Sequence, residues 1–488
     1  MAEIDHTTPI PLYYQLKLLI KKQIEEGQLQ PGDQIPTEAE LCQRYNMSRT
    51  PVRQALLELV REGLLTRTVG RGTFVTPVER KTIPLQVIVP DARWQQPLEE
   101  AAGLWNETHT HPFITLAFTT IPLGELHDHL SLTVAQGKAP DISVLDSVWV
   151  AEFARRRYLC SLAELDAAWV EAVRDEFYHS VRIANCYKGE QYAVPTNADA
   201  AVLWYRRDWV AAEGFDPPTT WDELVSVTQH FRRPEVRTRY GSGAYPLIFA
   251  AGRTAGETTT YQLLPLLMST GGDIIADEQV VLDSEATRRT LAFLRRLVHE
   301  EKVAPPTVVE LPWDGTWRAL ARGEVALALG GTYENFLIQS AAGWDAATFL
   351  EHVGFVALPA GPNGSPATLA GSMTYGIYRQ SNHSQEALDL LKLALTPAVL
   401  KPFSLQTGQN PAYIPVIETI GPDEDIFLRR TAPLFAKAGS RPSLPAYDRV
   451  SAQFQEMVEL CLTDQLPVET AVRRTAERIA GITGLPLG

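Results

Sequence analysis

The chain has 488 residues, 45% of them hydrophobic and 21% charged, with a formal net charge of −14. That length exceeds one ordinary core, so two or three compact units are expected, and the composition excludes a disordered polymer. The acidic balance excludes a protein that coats nucleic acid non-specifically, and the lack of any run of about 18 apolar residues excludes a helical membrane span.

The first elements are legible in order. The segment from Met1 to His6 is polar and acidic, which predicts no secretory leader. Cys42, Cys160, Cys186 and Cys461 are scattered without ligand spacing, which fits a reducing cytoplasm. Leu12, Leu16, Ile20 and Ile24 recur at helical spacing and predict a first helix, closed by Gly27 and the turn Pro31-Gly32-Asp33. Thr37 and Glu40 have the pattern of a capping box opening a second helix through Tyr45. Asn46-Met47 makes a tight turn, and Ser48 caps a third helix that tolerates Pro51 in its first turn. Val52, Leu56, Leu59 and Val60 give this helix a buried face and leave Arg49, Thr50, Arg53 and Gln54 outside. Gly63 stops it. The β-prone runs 64–68 and 73–76 flank Val69-Gly70-Arg71-Gly72, the flexible tip of a hairpin. Helix, helix, turn, helix and hairpin in about 70 residues make a winged helix-turn-helix pattern of α+β class.

Pro77 to Thr82 reads as a polar linker, so the expected domains are 1–76, a linker at 77–82, and 83–488. Beyond the linker, strands at 85–89, 114–119 and 142–145 alternate with helices at 98–108 and 126–136. Such alternation predicts a parallel sheet covered on both faces. The remaining length predicts two α/β lobes. Near the C-terminus, Phe454, Val458 and Cys461 mark the stripe of one helix over 450–482 that docks on a lobe. Residues 1–80 carry ten basic and ten acidic side chains, whereas 81–488 carry 34 against 48. A neutral unit joined to an acidic one suits two tasks.

A helix that enters a major groove needs cationic and hydrogen-bonding side chains near its N-terminus. Ser48, Arg49, Thr50 and Arg53 sit there, beside the positive end of the helix dipole. Arginine can read guanine or clamp phosphate, and the residues leave both open. Arg71 lies between glycines that let backbone approach a groove closely. A lone arginine more often solvates a surface, but Ser48-Arg49-Thr50-Pro51-Val52-Arg53, Gly63-Leu64-Leu65 and Gly70-Arg71-Gly72-Thr73-Phe74-Val75 recur together at this spacing. With Pro11-Leu12-Tyr13-Tyr14-Gln15-Leu16 and Pro31-Gly32-Asp33-Gln34-Ile35-Pro36-Thr37-Glu38, these residues closely resemble the GntR family of bacterial regulators. The resemblance implies a homodimer on double-stranded operator DNA, contacted by Thr37, Ser48, Arg49, Thr50, Arg53, Gly70, Arg71 and Gly72. Many members carry arginine where this chain has Ala39, so operator preference does not carry over.

The longer part resembles the solute-binding proteins of sugar ABC transporters, of the maltose- and trehalose-binding kind. The resemblance rests on Ala139-Pro140-Asp141-Ile142, Tyr192 to Asp199, Leu203 to Asp208, Pro218 to Leu224, Ala326 to Tyr333, Gly371-Ser372, Gly408 to Pro411 and Ser440-Arg441-Pro442. It implies a two-lobed α/β domain of the periplasmic-binding-protein type. A polyhydroxylated ligand needs carboxylates or amides for its hydroxyls and aromatic faces for its C–H surfaces, at loops leaving strand ends. Asp146, Asn197, Asp199 and Tyr333 meet that description, Arg441 is the natural donor to ring or hydroxyl oxygens, and the resemblance adds Ser147, Gly331, Thr332, Gly371 and Ser372 to the same pocket. By resemblance Tyr333 stacks on sugar. Trp149, Trp204, Trp313 and Trp317 are further stackers, of which the loop residue Trp313 is preferred. Each has a structural alternative: Asp146 as a helix cap, Asp199 as an ion-pair partner, Tyr333 as core.

His109-Thr110-His111 and His127-Asp128-His129 are read as solvated histidines, the second pair on a helix where alternate rings diverge. No metal, cofactor or catalytic residue is expected, since no Walker loop, nucleophile elbow or HExxH motif occurs. The expectation is a cytoplasmic, DNA-binding transcription regulator controlled by a small-molecule effector, a mono- or oligosaccharide, bound between two lobes. The alternative is a sugar receptor or carbohydrate-active enzyme with an incidental N-terminal domain.

Overall fold

The computed structural model describes residues 4, 6–8, 10–68, 70–76, 82–108, 112–421 and 424–488. Along the chain, its main division into two compact units falls between Thr82 and Ile83. Residues 77–81 of the expected linker lie outside the described residues, and Thr82 already belongs to the strand Thr82–Val89.

The N-terminal unit comprises α1 (Leu12–Glu25), α2 (Glu38–Tyr45), α3 (Arg49–Arg61), β1 (Leu65–Thr68) and β2 (Gly72–Val75). Leu16, Ile20, Leu41, Val52, Ala55, Leu56 and Leu59 pack with Ile35, Met47, Leu65 and Val75 in one small core. The Thr37–Glu40 capping box forms, with Glu40 Oε2 accepting from the Thr37 N–H at 2.7 Å and Thr37 Oγ1 accepting from the Glu40 N–H at 3.3 Å. Asn46 turns the chain in the left-handed region at φ 50°. Ser48 holds the N-cap position of α3 but makes no side-chain cap bond, because the third helical residue is Pro51, which has no N–H to offer. β1 and β2 form an antiparallel hairpin in the register Thr68–Gly72 to Leu65–Val75.

Among the described residues the larger unit holds two large sheets, of five and six strands, and two two-stranded ones. The first runs in the order Phe113–Thr120, Thr82–Val89, Ile142–Asp146, Met373–Ile377, Ala193–Pro195. The second centres on the long strand Asn197–Arg206, flanked by Leu327–Gly331 and Val353–Val356. Both are buried on both faces. Leu85, Val87 and Val89 enter one core while Ile88 enters another; Leu203 and Tyr205 enter one core while Val202 and Trp204 enter another.

The expectation of a parallel sheet is corrected. Thr82–Val89 and Ile142–Asp146 are parallel, but Met373–Ile377 runs antiparallel to both of its neighbours, and Asn197–Arg206 is antiparallel to all of its partners. The reason is topological. The chain leaves the first sheet at Pro195, continues through Thr196 into the second, and returns through Ala370–Gly371 into Met373–Ile377. An outgoing and a returning strand laid side by side must run in opposite directions. The C-terminal stretch is also two helices, Tyr447–Leu462 and Val468–Thr483, separated where Asp464 adopts φ 57° and Pro467 caps the second. Val450, Phe454, Met457, Val458 and Cys461 of the former lie in the core of the second lobe.

Candidate functional site

On the N-terminal unit, Ser48, Arg49, Thr50 and Arg53 are all exposed along the start of α3. Gly70 at φ 75° and Gly72 at φ 128° need glycine, and a Cβ on Gly72 would meet the Gln34 amide at 2.5 Å. Gln34 Nε2 donates to the Arg71 carbonyl at 3.0 Å and so steadies the tip. Thr37 is occupied by its cap. Sequence reasoning passed over Glu38, which accepts from Arg53 Nε at 3.0 Å and Arg67 Nη2 at 2.7 Å. Burial pushes its carboxyl up, but these two guanidinium hydrogen bonds outweigh that and hold it below its ordinary value. Glu38 thereby braces α2, α3 and the wing together, and among the described residues neither Arg49 nor Arg71 has an ion-pair partner.

In the larger unit the predicted residues converge around Arg441, which is 7% exposed. Its Nη1 donates to Glu257 Oε1 at 2.9 Å, and its Nη2 lies 3.8 Å from Asp146 Oδ1. Asp146 also caps the turn Ser147–Trp149 by accepting from the Val148 N–H at 3.2 Å. Asp199 lies near the start of the crossing strand and accepts from Tyr261 Oη at 2.6 Å. Two helices supply the rest by one-turn spacing. Glu257 and Tyr261 share a face of Glu257–Met268, while Tyr447 and Ser451 share a face of Tyr447–Leu462. Tyr447 Oη and Ser451 Oγ donate to Glu257 at 2.6 and 2.5 Å. Tyr333 sits with its ring centroid 6.1 Å from that of Tyr261. Gly331 and Gly371 are needed for closeness: a Cβ would lie 2.5 Å from the Tyr333 ring and 2.5 Å from Asp199 Oδ1, respectively.

Sequence reasoning missed Glu257, Tyr261, Tyr447 and Ser451. Only Gly256 before Glu257, at the mouth of a helix, hinted at the first. The result is a cluster of three carboxylates about one guanidinium, with tyrosine faces beside it. Burial pushes Asp199 up to about 6, against the Tyr261 hydrogen bond and the nearby Arg441. Burial likewise raises Glu257, opposed by Arg441, Ser451 and Tyr447.

The remaining residues occupy different places. Thr332 is buried, and its Oγ1 accepts from the Ala200 N–H at 3.0 Å. Ser147 and Ser372 are each 2% exposed and joined through the Ser147 N–H and the Ser372 carbonyl at 3.1 Å. Asn197 is 3% exposed, with its Oδ1 accepting from the Met373 N–H at 2.8 Å and its Nδ2 donating to Gln409 Oε1 at 2.8 Å. Trp313 stands 50% exposed on a turn, and Trp204 and Trp317 are core. Trp204 donates to Glu334 Oε2 at 2.9 Å.

Glu334 is fully buried, and burial pushes it up to about 8 against bonds from the Gly331 N–H and Trp204. Burial thus favours its protonated form near neutral pH. An acid whose folded value lies above its unfolded value favours folding most at low pH, and that contribution fades as pH rises from about 4.5 to about 8. Glu334→Gln should remove this slope from urea-unfolding free energies and leave the variant more stable than wild type above pH 8. An unchanged slope would show that Glu334 is ionised in the fold.

His109, Thr110 and His111 lie outside the described residues. His127 departs from the solvated reading: its ring packs 5.3 Å from Trp149 and 5.4 Å from Phe153, and its Nε2 lies 3.1 Å from Glu152 Oε2. Among the described residues no helix is long and apolar enough to cross a membrane.

Residues 12–75 match the bacterial regulatory proteins of the gntR family, and residues 87–401 match the bacterial extracellular solute-binding proteins. A probable ABC transporter-binding protein of Deinococcus radiodurans is 25% identical over 72% of this chain and 81% of its own length. The HTH-type transcriptional repressor NagR of Bacillus subtilis is 51% identical over 73 residues, which are 15% of this chain and 30% of that repressor. The chain thus spans under a third of the repressor it matches. Among solved structures, maltose-bound T. maritima MalE3 has a TM-score of 0.67 at 26% identity, covering 82% of this chain and 99% of that one. A tagatose-bound solute-binding protein of Thermotoga lettingae has a TM-score of 0.69 at 23% identity, covering 83% and 100%.

Proposed function

Since the chain belongs to the bacterial extracellular solute-binding proteins and carries a gntR-family winged helix ahead of that domain, we propose that it is a DNA-binding transcription regulator governed by a carbohydrate. In this reading, Arg49, Thr50, Arg53 and the Gly70–Gly72 tip meet operator DNA, and a homodimer supplies two such surfaces in the cytoplasm. The sugar, a mono- or oligosaccharide, lies between the lobes against Asp146, Asp199, Arg441 and Tyr333. The observation that carries the reading is the composition of this cluster. Three carboxylates about a single guanidinium offer many acceptors for hydroxyl hydrogens and repel a phosphorylated ligand, while the tyrosines cover C–H faces. Ligand and DNA are then coupled because one favours a state of the protein that the other does not.

The test is a band-shift titration at fixed salt with operator fragments and a panel of mono- and disaccharides. One neutral sugar should change operator affinity, and Arg49→Ala should weaken binding on all sequences and lower the salt slope by about one. Sugar binding without any operator binding would instead make the chain a receptor, and turnover of the sugar an enzyme. Either result overturns the regulator.

A further inference from the structure

Beside the cleft cluster, His127, Glu152 and Asp448 bring three potential metal donors together, with all donor atoms within 4.8 Å of one another. His127 comes from the helix Leu123–Ala135 and Glu152 from Val150–Arg155, and their neighbours Leu126 and Phe153 lie in a core of the first lobe. Asp448 opens the helix Tyr447–Leu462, whose apolar face is part of the second-lobe core. We propose that these three side chains form a binding site for a divalent transition-metal ion that staples one lobe to the other.

The chemistry of the donors fits such an ion. One imidazole with two carboxylates suits zinc or cobalt rather than calcium or magnesium, which prefer all-oxygen sets. On a tetrahedral ion with bonds of about 2.0–2.1 Å, two donors lie about 3.3 Å apart. His127 Nε2 and Glu152 Oε2 are already 3.1 Å apart, and Asp448 Oδ2 stands 3.9 Å from the same nitrogen. The Asp448 side chain, 49% exposed, has room to close that gap and leave a fourth position for water. The imidazole is held for the task. Trp149 and Phe153 pack against the ring; its Nε2 shares with Glu152 Oε2, at 3.1 Å, a proton that a metal ion would displace, and its Nδ1 turns towards Asp128 Oδ1 at 3.4 Å, where the second proton stays. Arg156, at 2.9 Å, engages Glu152 Oε1, so the ion binds through Oε2. His129 has no part, because alternate residues of a helix point apart. The staple reaches the cleft by one peptide bond, since Tyr447 next to Asp448 donates to Glu257.

The full-length chain, stripped of metal by a chelator, should take up one equivalent of Co2+ with a visible absorption band of low symmetry, and Zn2+ should displace it. Metal alone, without sugar or DNA, should raise the melting temperature of the wild type. Asp448→Asn and Glu152→Gln each keep side-chain shape, and each should weaken Co2+ binding by about tenfold or more. Melting of the metal-free variants shows that they fold, and if one does not, the other decides. Failure to bind one equivalent overturns the site. So does Co2+ binding that survives both substitutions, which marks an adventitious ion only. Because neither arm uses sugar or operator, these outcomes are independent of the regulator reading.

Discussion

Arg441→Ala is expected to abolish the rise in melting temperature that a bound sugar gives the wild type, while operator binding by the sugar-free variant is unchanged. A ligand at 100 times its dissociation constant stabilises a fold by about 2.7 kcal/mol, so the loss is well within reach of a thermal-shift measurement. The variant removes the one guanidinium that stands between Glu257 and Asp146 and leaves Asp199 without its nearest opposing charge. The unliganded fold should weaken as well. Breaking a dry buried pair costs about 3–5 kcal/mol. The Glu257 side chain keeps 29% exposure and the bonds from Tyr447 and Ser451, so a loss of about 1–3 kcal/mol is expected here.

Asp199→Asn separates sugar binding from stability. With Asp199 pushed up to about 6, folding favours the protonated form, and the stability it lends falls as pH rises from about 4 to about 6. At pH 7 the asparagine variant should therefore fold at least as stably as wild type and still lose the sugar response. Sites that bind carry such strain, and relieving it trades function for stability. A full sugar-induced shift in both variants would place the pocket elsewhere.

The second large effect belongs to Asn197. Its amide joins three segments that link the two sheets: its own strand, Met373 on the returning strand, and Gln409 beside Asn410–Pro411, which pairs back onto the same strand. Asn197→Leu fills the volume but leaves a buried N–H and the Gln409 side chain without this partner. Each unpaired buried group costs about 1–3 kcal/mol, so a total loss of about 2–4 kcal/mol is expected by urea unfolding. Hydrogen exchange at the Met373 amide should accelerate relative to the sheet around it. Wild-type stability with a protected Met373 amide would show that the crossing segments hold together without Asn197.

What was legible in the sequence follows the range of the interactions involved. The Thr37–Glu40 box, the turn at Asn46 and the tip glycines act within a few residues, so their chemistry is written in adjacent letters. The winged helix could be read almost element by element. Ser48 is the exception that physics explains, since Pro51 removes the donor that its hydroxyl would cap. In the larger unit, runs of apolar residues identified strands buried on both faces but not their directions. Direction was set by where the chain crosses between sheets, which no local pattern records.

The same limit governs the sites. By itself the sequence determined a neutral winged helix with exposed arginines, an acidic α/β domain behind it, and a set of polar residues at strand ends that includes Asp146, Asp199 and Arg441. Only the tertiary structure decided what each of them touches. Arg441 meets Glu257 across 184 residues and Asn197 meets Gln409 across 212, distances over which spacing and periodicity carry no signal. His127 looked solvated beside two polar neighbours on its helix, yet packing sets it against Trp149 and Glu152. Local sequence fixes conformations because hydrogen bonds and caps close small rings. The pairing of distant side chains is settled by the packing of cores.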